Sequence, residues 1–188
     1  MIVRSSMRAT VTVVGLGGAF AVVGQMSASA QTLPRVRSSD PYIRAAMQRA
    51  TDGSSMFRTL VSEISATDGI VFVEPGKCRH GVHSCLLHSA TPAAGYRILH
   101  VVVDVNRDVA RLAGSIGHEL QHVLEVLANA RLADSSAIYL FYAREAATAR
   151  ETFETQAAVM AGFKVEKEIV GSPGGSTANA ASKSEPRQ

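Results

Sequence analysis

The sequence predicts an α+β domain, a small three-stranded sheet combined with several amphipathic helices. Three observations carry that expectation. Between residues 70 and 105, short apolar and β-branched runs are separated by proline and glycine turn signals. On both sides of that region, apolar residues recur at i, i+3, i+4 and i+7 behind capping residues. One of these helical stretches contains His118-Glu119-Leu120-Gln121-His122, an H-E-x-x-H pattern with no proline in its window.

The chain has 188 residues, enough for one domain. Residues 1–30 read as an export signal rather than as part of the fold. Arg4 and Arg8 make the basic start, Ala9 to Val23 the apolar run, and Ala28-Ser29-Ala30 an A-x-A cleavage site. The run is short and glycine-rich for a membrane span, and no other stretch is long and apolar enough for one. The expected location is therefore periplasmic or secreted. The whole chain carries 19 basic and 16 acidic residues; without Arg4 and Arg8 the excess falls to one charge. No lysine or arginine cluster is interleaved with aromatics, so nucleic acid is not an expected partner. Export also places Cys78 and Cys85 where disulfides persist, and an isolated C-x6-C pair reads as a disulfide rather than a metal site.

Residues 31–39 read as a mobile polar linker. Asp40 then caps a helix with Pro41 in its first turn and Ile43, Ala46, Met47 and Ala50 on one face. Asp52-Gly53 breaks it. Ser54 or Ser55 caps a second helix that buries Phe57, Leu60, Val61 and Ile64 and ends at Thr67-Asp68-Gly69. Ile70 to Glu74 is a strand stopped by Pro75-Gly76, Ser84 to His88 a second, and Tyr96 to Val105 the strongest, with a turn from Thr91 to Gly95. The last is also the expected sheet edge for an added peptide strand. His80, His83, His88 and His100 lack i, i+4 spacing and are not expected metal ligands; His80 and His83 read as exposed-loop residues, and His100 as facing solvent or the cleft rim. Val109 to about Ala130 is the motif helix, Asp134 opens a short helix to about Arg144, and Thr152 to about Ile169 is the last helix, with Phe153, Ala157, Met160, Ala161 and Val165 inward. Residues 171–188 are rich in glycine, serine and alanine and read as a disordered tail.

On the motif helix His118 and His122 stand one above the other, so both imidazoles can address one metal ion. Glu119 falls about 100° round the helix, beside that ion, where its carboxylate can take a proton from water. A catalytic zinc takes three protein ligands. Glu125 lies on the same stripe at i+7 and cannot close round the ion on a straight helix; it reads as an acid orienting an imidazole N–H or as a salt-bridge residue. The third ligand is sought among Glu145, Glu151, Glu154, Glu166 and Glu168. Glu154 stands out because it opens an apolar face followed by small residues, which allow close approach to the motif helix.

The Gly117-to-Glu125 stretch, with Phe153-Glu154-Thr155-Gln156-Ala157-Ala158 downstream, resembles the zincin-like metallopeptidases of the gluzincin type. It resembles more closely small exported bacterial proteins in which H-E-L-Q-H precedes an E-T-x-A-A helix. The likeness runs from about Ser38 to Ile169. It implies a minimal zincin-like domain over residues 40–170, zinc held by His118, His122 and Glu154, Glu119 as general base, and a peptide or protein substrate. One departure stands out: Ala158 occupies the position where many gluzincins carry an acid that buttresses a zinc-bound histidine. Tyr139, Tyr142 and His100 are the candidates for stabilising an oxyanion. The alternative to a peptidase is a non-catalytic zinc-binding or interaction module of the cell envelope.

Overall fold

The computed structural model describes residues 34–132, 134–145 and 154–172. The expected export signal, the tail from residue 173 and Phe153 lie outside the described residues. The fold is α+β, with five helices and one mixed four-stranded sheet among the described residues. In chain order these are β1 (Val36–Arg37), α1 (Pro41–Gly53), α2 (Ser55–Ser65), β2 (Gly69–Pro75), β3 (Ser84–Ala93), β4 (Tyr96–Val103), α3 (Val109–Leu127), α4 (Ser135–Glu145) and α5 (Gln156–Gly171).

The strand order is β1-β2-β4-β3. β1 and β2 run parallel, as do β2 and β4, while β3 and β4 form an antiparallel hairpin. Two expectations change here. Val36 and Arg37 belong to the expected linker, yet they pair with Val71 and Phe72 as the fourth strand. Val36 is buried, and Arg35 and Arg37 lay their guanidinium groups over the rings of Tyr96 and Phe72. Apolar burial and cation–π stacking hold a segment whose composition alone reads as polar. Second, β4 is no edge: β2 and β3 flank it on both sides, and β3 takes the edge.

β3 also runs five residues further than expected, through Thr91 and Pro92. Proline survives there because on an edge strand its missing N–H can face away from the ladder. The tight turn lies at Ala94-Gly95, both with positive φ, 49° and 81°. That is the primed geometry a two-residue hairpin favours.

Alternation sorts the sheet. Val71, Val73, Leu99, Val101 and Val103 are buried in the core with α1, α2 and α3, whose inward residues include Ile43, Phe57, Leu60, Leu112 and Leu120. Phe72, Glu74 and His100 alternate with them, half-buried on the opposite face. The first two caps form as read, with Asp40 accepting from the Ile43 N–H and Ser54 from Phe57, and Asp108 caps α3 by accepting from the Arg111 N–H. Glu168 of α5 reaches the start of α2, accepting from the Ser54 and Ser55 hydroxyls and the Met56 N–H. Burial opposes its charge, but those hydrogen bonds outweigh it and lower the pKa.

α3 and α5 share the most extensive helix contact. Their glycines make it possible. A Cβ at Gly162 would stand 3.0 Å from the Gly114 carbonyl oxygen and 3.0 Å from His118 Cβ, and one at Gly117 would stand 2.8 Å from a Val165 methyl. The small residues therefore serve close approach, as expected, but the buried face is Ala158, Ala161, Gly162, Val165 and Ile169. Ala157 and Met160, expected inside, are exposed. The helix begins at Gln156 rather than Thr152, with Thr155 as its cap.

Candidate metal centre

α3 supplies the two histidines from adjacent turns. Their Nε2 atoms lie 3.2 Å apart. Zinc ligands about 2.0–2.1 Å from the ion sit about 3.3 Å from each other on a tetrahedral edge, so this spacing suits two ligands of one ion. Glu154 Oε2 is 3.2 Å from His118 Nε2. One donor atom from each of His118, His122 and Glu154 falls within 4.8 Å of the other two. Glu154 is not on α5, as the sequence suggested, but in the extended chain just before it. It is positioned by Thr155, whose hydroxyl accepts from the Ala158 N–H at 3.1 Å and donates to Glu125 Oε1 at 2.6 Å.

Glu125 is thereby placed. Its other oxygen lies 2.9 Å from His122 Nδ1. An Nδ1–H donated to that carboxylate leaves the Nε2 lone pair directed at the shared position. Glu125 thus fills the role of an acid beside a histidine, from α3 itself, where Ala158 leaves none. Burial alone would raise its pKa, but hydrogen bonds from His122 and Thr155 more than compensate and lower it. For His118, burial disfavours the cation, yet Glu154 with Glu119 and Glu125 outweighs it and raises the pKa. Glu154 is held low chiefly by His118, against a smaller effect of burial.

Glu119 is 3% exposed, and its Oε1 is 4.0 Å from His118 Nε2. It accepts from Ser84 Oγ at 2.7 Å and from the Leu86 backbone N–H, both on β3. Burial pushes its carboxyl above the ordinary range, against the pull of the histidines and these donors. The edge strand thus fixes the acid that the motif places beside the histidines.

These groups lie at a cleft of about 600 Å³ between β3, α3 and α4. Tyr139, Tyr142 and His88 line it too. Tyr142 donates to the His122 carbonyl at 2.9 Å and packs edge-on against the His122 ring, while His88 stacks on Tyr142. Burial and the nearby Glu125 raise the Tyr142 pKa, and burial with His122 lowers that of His88. His88, read from the sequence only as the end of the second strand, therefore reaches the cleft.

Other candidates separate from the centre. His100 sits on the far face of the sheet, stacked on Phe72 with Nδ1 3.0 Å from Glu74, which removes it as an oxyanion candidate. His83 is 3.7 Å from Asp104. Glu166 faces Arg111 at 4.0 Å, and Glu168 caps α2. Glu151 and the side chain of Glu145 lie outside the described residues. Cys78 and Cys85 form a disulfide. No described helix is long and apolar enough to cross a membrane. Sequence reasoning missed the roles of Ser84, which belongs to no motif, and of Thr155, which stands in the E-T-x-A-A stretch without a partner named, since both act across long chain separations. Against protein-family models, curated proteins and solved structures, the chain finds no match.

Proposed function

We propose that this protein is an exported zinc-dependent peptidase. The observation that carries the reading is the convergence of His118, His122 and Glu154 at a cleft, with a buried carboxylate, Glu119, beside them. Two neutral imidazoles and a carboxylate suit zinc, and leave a coordination position open. Zinc bound there supplies Lewis acidity, polarising a carbonyl and lowering the pKa of a bound water toward about 7.

The chain's own residues do the rest. Glu125 keeps the His122 ring in one tautomer and orientation, and Thr155 keeps Glu125 in place. Glu119, raised in pKa by burial, is suited to accept the proton of the attacking water and pass it to the leaving amine. Ser84 and the Leu86 N–H hold the carboxylate in the position from which it does so. β3 is an edge strand lining the cleft, so an extended substrate can pair with it beside Glu119. This replaces β4, which is paired on both sides. The disulfide suits an oxidising compartment, in line with the export signal read in residues 1–30.

The test pairs metal content with turnover. The wild-type chain should bind about one zinc and cleave an unstructured protein such as casein. Glu119→Gln should keep the zinc and lose cleavage by at least about a hundredfold. His118→Ala should lose both. Zinc without cleavage in the wild type would favour a non-catalytic zinc module, and cleavage retained by Glu119→Gln would remove Glu119 from its role.

A further inference from the structure

The cleft does not end at the histidines. A second, shallower hollow of about 270 Å³ continues on the other side, and Ser84, His118, Glu119 and Glu154 line both. The centre therefore stands in the middle of a channel with two arms. Lys77 and Arg79 line the first arm on either side of Cys78, whose disulfide to Cys85 ties that loop to β3. Arg107 lines the second arm, half-buried, with Nη1 donating to Ser115 Oγ at 3.0 Å, one helical turn before His118. Its turn is pinned by Tyr42, whose hydroxyl donates to the Arg107 carbonyl at 2.8 Å. Among the described residues, none of Lys77, Arg79 and Arg107 pairs with a carboxylate. Arg111, the remaining cation of the second arm, faces Asp108 at 3.4 Å and Glu166 at 4.0 Å.

We propose that the channel takes acidic peptides, with Lys77 and Arg79 receiving carboxylates on one side of the centre and Arg107 on the other. The proposal rests on the peptidase reading for the path of the peptide through both arms. A guanidinium held by Ser115 has lost part of its freedom before binding and offers its remaining N–H groups as a fork for a carboxylate. The loop carrying Lys77 and Arg79 is closed covalently, so its charges stay at the rim. Leu86 and Leu87 of the first arm and the exposed Val159 and Phe163 of the second add apolar contact between these charges. The expected ligand is therefore an extended segment in which glutamate or aspartate alternates with apolar residues.

The test uses the full chain loaded with zinc and carrying Glu119→Gln, so that binding is read without turnover. Two fluorescent peptides of equal length are compared, one with glutamates and its twin with glutamines at the same positions. The acidic peptide should bind about tenfold more tightly at low salt, since each partly screened pair contributes a few-fold, and the gap should narrow as salt rises. Arg107→Gln and the pair Lys77→Glu, Arg79→Glu should each reduce the preference while leaving zinc content unchanged. Equal binding of the two peptides, or a preference untouched by all three substitutions, overturns the proposal. Wild-type protein that binds the acidic peptide through these cations yet cleaves neither supports it and overturns the hydrolytic reading instead. Cleavage of both peptides at equal rates with equal affinity does the reverse.

Discussion

Glu125 is the residue whose role is most exposed to experiment. It contacts His122 with one oxygen and Thr155 with the other, so it sets both an imidazole orientation and the start of α5. Glu125→Gln keeps the shape and removes the charge. Metal affinity, measured by competition with a chelator, should fall about 10–100-fold, the usual effect of losing such a partner. Unchanged affinity would show that the ring is held by packing alone. A second residue-scale expectation concerns Ala94, which has φ 49° in the hairpin turn. Ala94→Gly removes the strain of a left-handed alanine and should stabilise the protein by about 1 kcal/mol, read as a higher thermal midpoint; no gain would mean that the glycine's greater freedom in the unfolded chain cancels it. Both residues show how legibility varies. Glu125 was visible as a choice between two roles, because i+7 spacing excludes direct ligation but does not name a partner. Ala94 lay inside the expected turn from Thr91 to Gly95, but nothing in that stretch named an alanine as one of its left-handed residues.

At the scale of elements, the α3–α5 contact decides whether Glu154 meets the histidines. Gly162 lies against both Gly114 and His118, so any side chain there pushes the helices apart or moves His118. Gly162→Ala should cost about 1–3 kcal/mol by overpacking and also weaken metal binding, in a site that contains none of the altered atoms. Stability lost in denaturant with metal affinity intact would show that Glu154 is held independently of helix spacing. The motif helix itself was legible from H-E-x-x-H spacing and the apolar stripe, because those signals act within a few residues. The face of α5 was not. Its apolar residues are too evenly spread round the helix, with Val159, Met160, Phe163 and Val170 left exposed, for periodicity to choose.

Arg97 works at the scale of the whole molecule. From β4 it donates to both oxygens of Asp68, which follows α2, and to the carbonyls of Val126, Leu127 and Asn129 at the end of α3. It therefore joins the sheet to the C-terminus of the motif helix, where a cation also complements the helix dipole. Arg97→Ala strands these acceptors and should cost roughly 1–3 kcal/mol in urea unfolding; a smaller loss would mean that water replaces the guanidinium. The Asp68 end adds a pH dependence. The Arg97 hydrogen bond, working against burial, lowers the Asp68 pKa. A depressed carboxylate stabilises the fold above its unfolded pKa, near 3.9, and that contribution disappears as pH falls through the folded value. Asp68→Asn should therefore cost stability at about pH 7 and cost little by about pH 2, with a small effect because Asp68 is partly solvated. A cost that persists in acid would assign the effect to hydrogen bonding rather than charge.

By itself the sequence determined what local spacing can determine: the α+β class, the capped helices, the stacked pair His118 and His122, and Glu119 beside them. Each depends on residues within one or two helical turns, where backbone geometry converts spacing into direction. It also narrowed the third member to a set of acids and selected Glu154, which joins the histidines in space. Only the tertiary structure decided how the centre is held. Ser84 reaches Glu119 across 35 residues and Thr155 reaches Glu125 across 30. Such contacts come from sheet order and helix approach. A pairing of β3 rather than β4 at the edge, or one methyl at a helix crossing, is a global packing outcome that no short stretch encodes.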